Sequence, residues 1–328
     1  PDPEKIETLY SEIRRVAPDL KVLHLDNINP GAVASFPRES SKIAKIISRY
    51  NTPGDTAAMG LESVDPTVFE LNSLKCDRRE AVRAVEIINE FGAERSNGIP
   101  KLLPGLNLIQ GLPGESDQTF QQNFEFLSEI LERNLLLRRI NIRQVTVHSH
   151  TKLERLKNDN NLCERVNLSK KHMKPALLEN KYRYYRDRIR AEIDRPMLER
   201  VFPPGTILKE VIPEVTNPGY ILGRQLGSYP VTVKIPVSDK NAVLALESRQ
   251  PIDIIITGYG ERSLLGLVHP IQINAIGQKA LEQIPGIGKR RATAIFMARP
   301  LANMDDLSFQ IDGTVFGNSS DYCFEKIE

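Results

Sequence analysis

The sequence predicts an α/β chain that opens as a partial (β/α) barrel, continues into a small β-barrel and ends in a pair of short helices around a tight turn. Three observations carry this expectation. Helical and extended hydrophobic patterns alternate about four times through residues 1–150. Short β-rich runs divided by Pro and Gly follow from Pro203. A Gly286-Ile287-Gly288 turn then separates two helical stretches near the end.

Apolar residues at helical spacing from Ile6 to Val16 predict the first helix. Leu20 to Leu25 then alternates as a strand and ends in the turn-prone Asp26-Asn27-Ile28-Asn29-Pro30-Gly31. Ile43, Ile46 and Ile47 mark a helix from Ser40 to Tyr50, and Asp55 to Met59 reads as a short strand leading into Gly60-Leu61-Glu62-Ser63. Asp65-Pro66 opens a short helix, and Asp77 with Glu80 makes a capping-box signature ahead of Val82, Val85 and Ile88, with Gly92 at the helix end. Leu106 to Gln110 is a compact apolar strand running into Gly111-Leu112-Pro113-Gly114-Glu115. Phe120, Phe124, Leu127 and Leu131 share one face of the next helix, and Ile140 to Val147 alternates like a barrel wall. Such an order predicts a parallel sheet whose site lies in the loops at the strand C-terminal ends, with too few units to close a barrel.

The length of 328 residues makes two or three domains the prior, and the sequence itself divides into four segments, 1–150, 151–202 (a charged helical connector), 203–274 and 275–328. A net charge of +2 produces no strong overall field toward nucleic acid or an anionic membrane, so any basic binding surface must be local. No run of about 18 apolar residues exists to span a bilayer, so a soluble, cytoplasmic protein without a membrane partner is expected. Cys76, Cys163 and Cys323 lie far apart, fit no CxxC pattern and suit a reducing compartment. The chain opens Pro1-Asp2-Pro3 without methionine, a beginning read as distinct from the natural start of translation.

The loops Gly60-Leu61-Glu62-Ser63 and Gly111-Leu112-Pro113-Gly114-Glu115, at consecutive strand ends and preceded by Asn27-Ile28-Asn29-Pro30, resemble the fourth- and fifth-strand signatures of radical S-adenosylmethionine enzymes. Each tetrad or pentad alone is a common turn; the pair and its spacing carry the resemblance. It implies a partial barrel with a 4Fe-4S cluster on three cysteines, whose open iron binds S-adenosylmethionine for reductive cleavage to a deoxyadenosyl radical. It further implies cofactor-binding places for Asn29, Gly60, Glu62, Ser63, Gly111, Pro113, Gly114, Gln144 and Val145. Glu62 and Ser63 would lie near the ribose or amino-acid end, Gly111 to Gly114 would make room for adenosine, and Gln144 with Val145 would touch adenine. The family's CxxxCxxC loop and its Gly-rich second-strand motif are both missing from this chain. If Leu20 to Leu25 corresponds to the third barrel strand, the first two lie upstream of Pro1 and the chain is inactive alone.

His148 and His150 would face the same way on a strand, but without further ligands they predict no metal site. Residues 152–200 are charge-rich and helical in pattern, with Lys170, Lys171, Lys174, Lys181, Arg183, Arg186, Arg188 and Arg190 among Tyr182, Tyr184 and Tyr185. That mixture suits a nucleic-acid backbone, or equally a solvated helix with its tyrosines packed inward. The runs Thr206–Ile212, Gly219–Arg224, Tyr229–Ile235, Ile252–Thr257 and Leu264–Val268 predict the β-barrel, which is similar to the TRAM-type (OB-like) barrels of RNA-modifying radical enzymes. Arg224 is its candidate phosphate contact. Leu281 to Ile295 resembles a helix-hairpin-helix motif, in which Gly286 and Gly288 would let a phosphate approach the second helix and Lys289 and Arg290 would add charge.

The order of modules resembles an uncharacterised, mainly archaeal radical S-adenosylmethionine group with a C-terminal helix-hairpin-helix. The expectation is an Fe-S enzyme whose full-length form does radical chemistry on tRNA, DNA or another nucleic acid with a reductant protein as partner, its catalytic residues unassigned. A rival is a non-catalytic nucleic-acid-binding protein on a barrel scaffold. A third reading, acid–base chemistry by Glu62, Glu115 and His148, has no supporting spacing. An uncovered edge at Lys21 to Leu25 would favour a homodimer.

Overall fold

The computed structural model describes residues 1–157 and 175–301. They form two compact units, one of Pro1–Ser96 with Pro100–Met197 and one of Asn97–Ile99 with the residues from Leu198 onward. Among the described residues no helix is long and apolar enough to cross a membrane.

The first unit is built on a four-stranded parallel sheet of order β1-β2-β3-β4, with β1 Asn27–Ile28, β2 Asp55–Glu62, β3 Leu102–Gln110 and β4 Arg139–Gln144. The helices are α1 Pro3–Val16, α2 Pro30–Ser35, α3 Pro37–Tyr50, α4 Pro66–Asn72, α5 Arg78–Gly92, α6 Asp117–Glu132, α7 Lys152–Lys157 and α8 Pro175–Arg188. A π-helical turn, Ile189–Asp194, and α9 Arg195–Val201 follow directly. Helix starts follow the caps legible in the sequence. Asp65 accepts from the Thr67 and Val68 amides, and Asp77 with Glu80 closes a reciprocal capping box. Gly92 is needed for contact: a Cβ there would lie 1.8 Å from the Leu102 carbonyl oxygen, so only glycine lets α5 sit against β3.

Two expectations for this unit need correction. Leu20 to Leu25 is extended but forms no ladder; only Asn27 and Ile28 pair as a strand with β2. Side chains and one isolated backbone bond answer it: Leu23 N donates to Thr52 Oγ1 at 3.0 Å, Leu25 N to Asp55 Oδ2 at 3.1 Å, and the Leu23 carbonyl accepts from Thr52 N at 3.0 Å. The last strand stops at Gln144 rather than Val147: Val145 N makes the last ladder bond, to the Gln110 carbonyl at 2.8 Å, and the partner strand β3 ends at Gln110, where Gly111 takes φ 87°.

The stretch expected as a charged connector belongs to the first unit as far as Met197. On α8, Tyr185 is buried and its ring lies 6.3 Å from Phe120 and 5.9 Å from Phe124 of α6. Arg188 lies over the Phe124 ring at 4.0 Å and donates twice to Glu192. Arg190 reaches the Ile140 carbonyl at 3.0 Å and pairs with Asp194. These residues of the basic-aromatic stretch are consumed by packing. Lys170, Lys171, Lys174 and Cys163 lie outside the described residues.

The second unit is a closed five-stranded barrel of β5 Ile207–Asn217, β6 Tyr220–Arg224, β7 Thr232–Pro236, β8 Ile252–Tyr259 and β9 Ser263–Val268. Its pairs are antiparallel except β9 with β7. A helix missed in the sequence, α10 Lys240–Ser248, links β7 to β8; Asp239 before it is fully buried and accepts from the Val268 amide at 2.9 Å. Beyond the barrel come α11 Gln278–Leu281 and α12 Lys289–Met297. Barrel and helices were expected as separate domains, yet they share one core in which Ile255 and Leu267 meet Ile273, Ile276, Leu281, Ile284, Ile287 and Ile295. The reason is size: two short helices cannot bury an apolar face alone.

Candidate functional site

The C-terminal ends of β2, β3 and β4 bring the sequence-predicted loops side by side. At the end of β2, Glu62 adopts a left-handed backbone with φ 60°, a conformation that side chains other than glycine seldom take. Gly60 accommodates it, since a Cβ there would lie 2.6 Å from Glu62 Oε1. Burial pushes the Glu62 carboxyl above the usual range, opposed by Lys75. Its Oε2 is buried without a hydrogen-bond partner among the described residues. Strain, desolvation and an unanswered acceptor at one residue are the marks of a site held ready for a ligand.

Ser63 lies within a joint between two helices. It is buried, accepts from the Asp65 amide at 3.2 Å and contacts Asn123 Oδ1, which also receives Val64 N at 2.9 Å. With Asp65 bound by Thr119, these residues form a joint between α4 and α6. Asn29 is exposed and caps α2 by accepting from Ala32 N at 3.3 Å.

The second loop is clamped open. Gly111 and Gly114 have φ of 87° and 85°. The Gly111 amide donates to Glu115 Oε2 at 2.8 Å, and Asn72 of α4 donates to the Pro113 carbonyl at 2.9 Å. A Cβ on Gly114 would meet Leu71 at 2.6 Å. Glu115 is buried within this turn, where its carboxylate accepts from the Gly111 amide.

A cleft of about 510 Å³ opens beside this loop. Residues 110–115, Phe120, Gln144 and Val145 form one side, and Pro175, Leu178, Glu179 and Tyr182 of α8 form the other. Gln110 is only 5% exposed, and its Oε1 has no hydrogen-bond partner among the described residues. Gln144 Nε2 donates to Glu179 Oε2 at 2.9 Å, and Arg183 Nε donates to Glu179 Oε1 at 3.0 Å. Gly111, Pro113, Gly114, Gln144 and Val145 thus line one cavity, together with Gln110, Glu179 and Tyr182, which were not anticipated. Tyr182 was legible only as part of a basic-aromatic stretch, and no local pattern places α8 over the strand ends.

These residues fit the nucleoside part of S-adenosylmethionine: the cleft is mostly apolar and offers one buried acceptor, Gln110 Oε1, without a partner among the described residues. They do not fit the iron–sulfur cluster. Cys76 is buried, its thiol pushed up to about 12 chiefly by desolvation and then by Glu80, Glu62 and Asp77. Cys163 and Cys323 lie outside the described residues, among which no group of three His, Cys, Asp or Glu side chains converges on a metal position. His148 and His150 are exposed.

In the second unit, Arg224 pairs with Glu214 at 3.3 Å through one terminal nitrogen, while its Nε is buried without a hydrogen-bond partner among the described residues. Gly286 has φ of 81°, and Gly288 begins α12 with no side-chain cap and nothing within 4 Å of where a Cβ would stand. Lys289 and Arg290 beside it are exposed.

No family model matches the chain. It is similar to an uncharacterised protein of Archaeoglobus fulgidus, 36% identical over 312 residues, covering 94% of this chain and 54% of that protein. It is also similar to an uncharacterised protein of Methanocaldococcus jannaschii, 41% identical over 271 residues, covering 82% of this chain and 46% of that protein. The chain therefore spans about half the length of the curated archaeal relatives it matches.

Proposed function

We propose that this chain binds S-adenosylmethionine across its strand-end loops, as part of a radical S-adenosylmethionine Fe-S enzyme that modifies tRNA or another nucleic acid. One observation carries the reading. The two signature loops close adjacent parallel strands, and Glu62 and Gln110, at those strand ends, each hold a buried side-chain oxygen with no partner among the described residues. In this reading the partial barrel supplies the apolar cleft and acceptor set for the adenosyl group. Glu62 meets a donor at the ribose or amino-acid end, and the backbone from Gly111 to Gly114 gives way to the ligand.

Anaerobic iron and sulfide reconstitution of the full-length natural protein, followed by reduction with S-adenosylmethionine, tests this. Deoxyadenosine is the expected product; none from a folded, cluster-loaded protein would overturn the enzymatic reading.

A second reading, a nucleic-acid-binding scaffold without catalysis, draws on the open, uncapped turn at Gly288 beside Lys289 and Arg290. In this reading the start of α12 is the phosphate site, where backbone amides and the adjacent cations would receive it. Salt-dependent binding of tRNA or duplex DNA by a protein that yields no deoxyadenosine would favour it over the enzyme.

A further inference from the structure

A second cavity, of about 430 Å³, lies at the end of the sheet opposite the signature loops. Lys45, Ser48 and Arg49 of α3, Asn51 ahead of β2, and Phe91 and Lys101 ahead of β3 line it. Helical spacing puts Lys45, Ser48 and Arg49 on one face of α3. The strand β2 is eight residues long, so roughly 25 Å of extended chain separates this cavity from the loop at Glu62. Two buried polar atoms of the lining are unanswered. A serine within a helix ordinarily satisfies its hydroxyl on the carbonyl four residues back. Ser48 is 6% exposed, yet its Oγ has no hydrogen-bond partner among the described residues. Asn51 is equally buried; its Nδ2 donates to Asp55 Oδ2 at 2.5 Å, and its Oδ1 has no partner among the described residues. A hydroxyl can donate and an amide oxygen can only accept, so the two suit a ligand that bears both an oxyanion and a hydroxyl.

The charge of the lining fixes the sign of that ligand. Three cations stand there against one carboxylate, Glu94, which pairs with Lys101 at 3.0 Å. Arg49 reaches Glu7, outside the lining, with Nη1 at 3.1 Å, and exposed Lys45 has no ion pair among the described residues. A phosphate monoester carries close to two negative charges at neutral pH and meets this excess. A backbone diester carries one charge per phosphate and meets it less well. Phe91 and Pro53 supply apolar contact for the carbon part of the ligand.

We propose that this cavity binds a phosphate monoester of a sugar or nucleoside. Lys45, Arg49, Lys101 and the Ser48 hydroxyl receive its phosphate, and Asn51 Oδ1 accepts from one of its hydroxyls. The site is separate from the strand-end cleft and independent of the radical reading. Isothermal titration of this chain with uridine monophosphate, ribose phosphate, uridine and inorganic phosphate tests it with probes that carry no adenosyl group. Each monoester should bind about ten-fold tighter or more than uridine or inorganic phosphate, because only the monoesters bring charge and hydroxyl together. A tighter uridine monophosphate assigns the site to nucleotides through Phe91, and equal monoesters assign it to the sugar phosphate. Lys45→Glu should weaken both monoesters by about ten-fold or more, and Lys45→Arg should keep most of the affinity. Lys45 is exposed, so these variants should melt with the parent chain.

Equal affinity for uridine and its monophosphate, or no binding of either monoester, would overturn the proposal without recourse to any variant. Inorganic phosphate that binds as tightly as the monoesters would reject the organic part and leave an ion site. Displacement of uridine monophosphate by S-adenosylhomocysteine, or unchanged binding in a folded Lys45→Glu chain, would place the ligand elsewhere and overturn the assignment. Transfer RNA that loses affinity in Lys45→Glu while the monoesters fail to bind would make the cavity part of a nucleic-acid surface instead.

Discussion

Ile255 and Leu267 stand opposite each other on β8 and β9, and both are wholly buried in the core that also holds the two C-terminal helices. The outer face of a barrel hairpin is therefore the surface on which α11 and α12 are built. The Gly286–Gly288 turn inherits its rigidity from that sheet, because Ile284 and Ile287 on either side are anchored in the same cluster.

A shared core makes the C-terminal helices and the barrel one cooperative unit. Ile284→Ala should cost about 2–5 kcal/mol, the usual range for emptying a buried Ile site. Urea unfolding followed by hydrogen exchange should show barrel and helix amides losing protection together. Helices that melt alone over an intact barrel would contradict the shared core.

Glu62 gives a prediction with two opposite signs. Glu62→Gly relieves a left-handed backbone and removes a desolvated carboxyl, so the variant should unfold at higher denaturant by about 1 kcal/mol. The same change should weaken S-adenosylhomocysteine binding in calorimetry. A loss of stability would mean that Glu62 is held by contacts that outweigh its strain.

Cys76 makes stability depend on alkaline pH. Its folded thiol titrates near 12 against an ordinary value of 9.0, so the folded state keeps its proton longer than the unfolded chain. This contribution is fully present below pH 9.0 and is lost as pH rises toward 12. Thermal melts between those limits should fall less steeply in Cys76→Ala. At pH 8 the native thiol should resist iodoacetamide, with mass spectrometry finding the label on Cys76 only after unfolding; prompt native labelling would contradict its burial.

Lys289 and Arg290 are expected to act on nucleic acid as charges, not as sequence readers. Replacing both by Ala should weaken tRNA and duplex DNA alike, and should lower the slope of log K against log salt by about 1 to 2. Unchanged binding in a fluorescence anisotropy titration would move any interface elsewhere on the molecule.

Much of the scaffold was legible locally. The caps at Asp65 and Asp77, the alternation in the barrel strands and the turn glycines at 111, 114 and 286 are each short-range chemistry, readable within a few residues. Leu20 to Leu25 misled because alternation predicts an extended chain but does not say whether backbone or side chains will answer it; Thr52 and Asp55 answer it here. The motif at Ser63 likewise says nothing of Asn123, sixty residues away, which contacts it inside the joint.

The sequence by itself determined the order of helices and strands, the two strand-end loops and the Gly-Ile-Gly turn, because propensity, capping and positive-φ geometry act between near neighbours. Only the tertiary structure decided that α8 lies over those loops, that Gln110 and Gln144 share a rung beneath Glu179, and that barrel and C-terminal helices have one core. Those relations depend on which distant apolar faces bury one another, and hydrophobic burial is non-directional: it requires that a face be covered without naming, in the local sequence, what covers it.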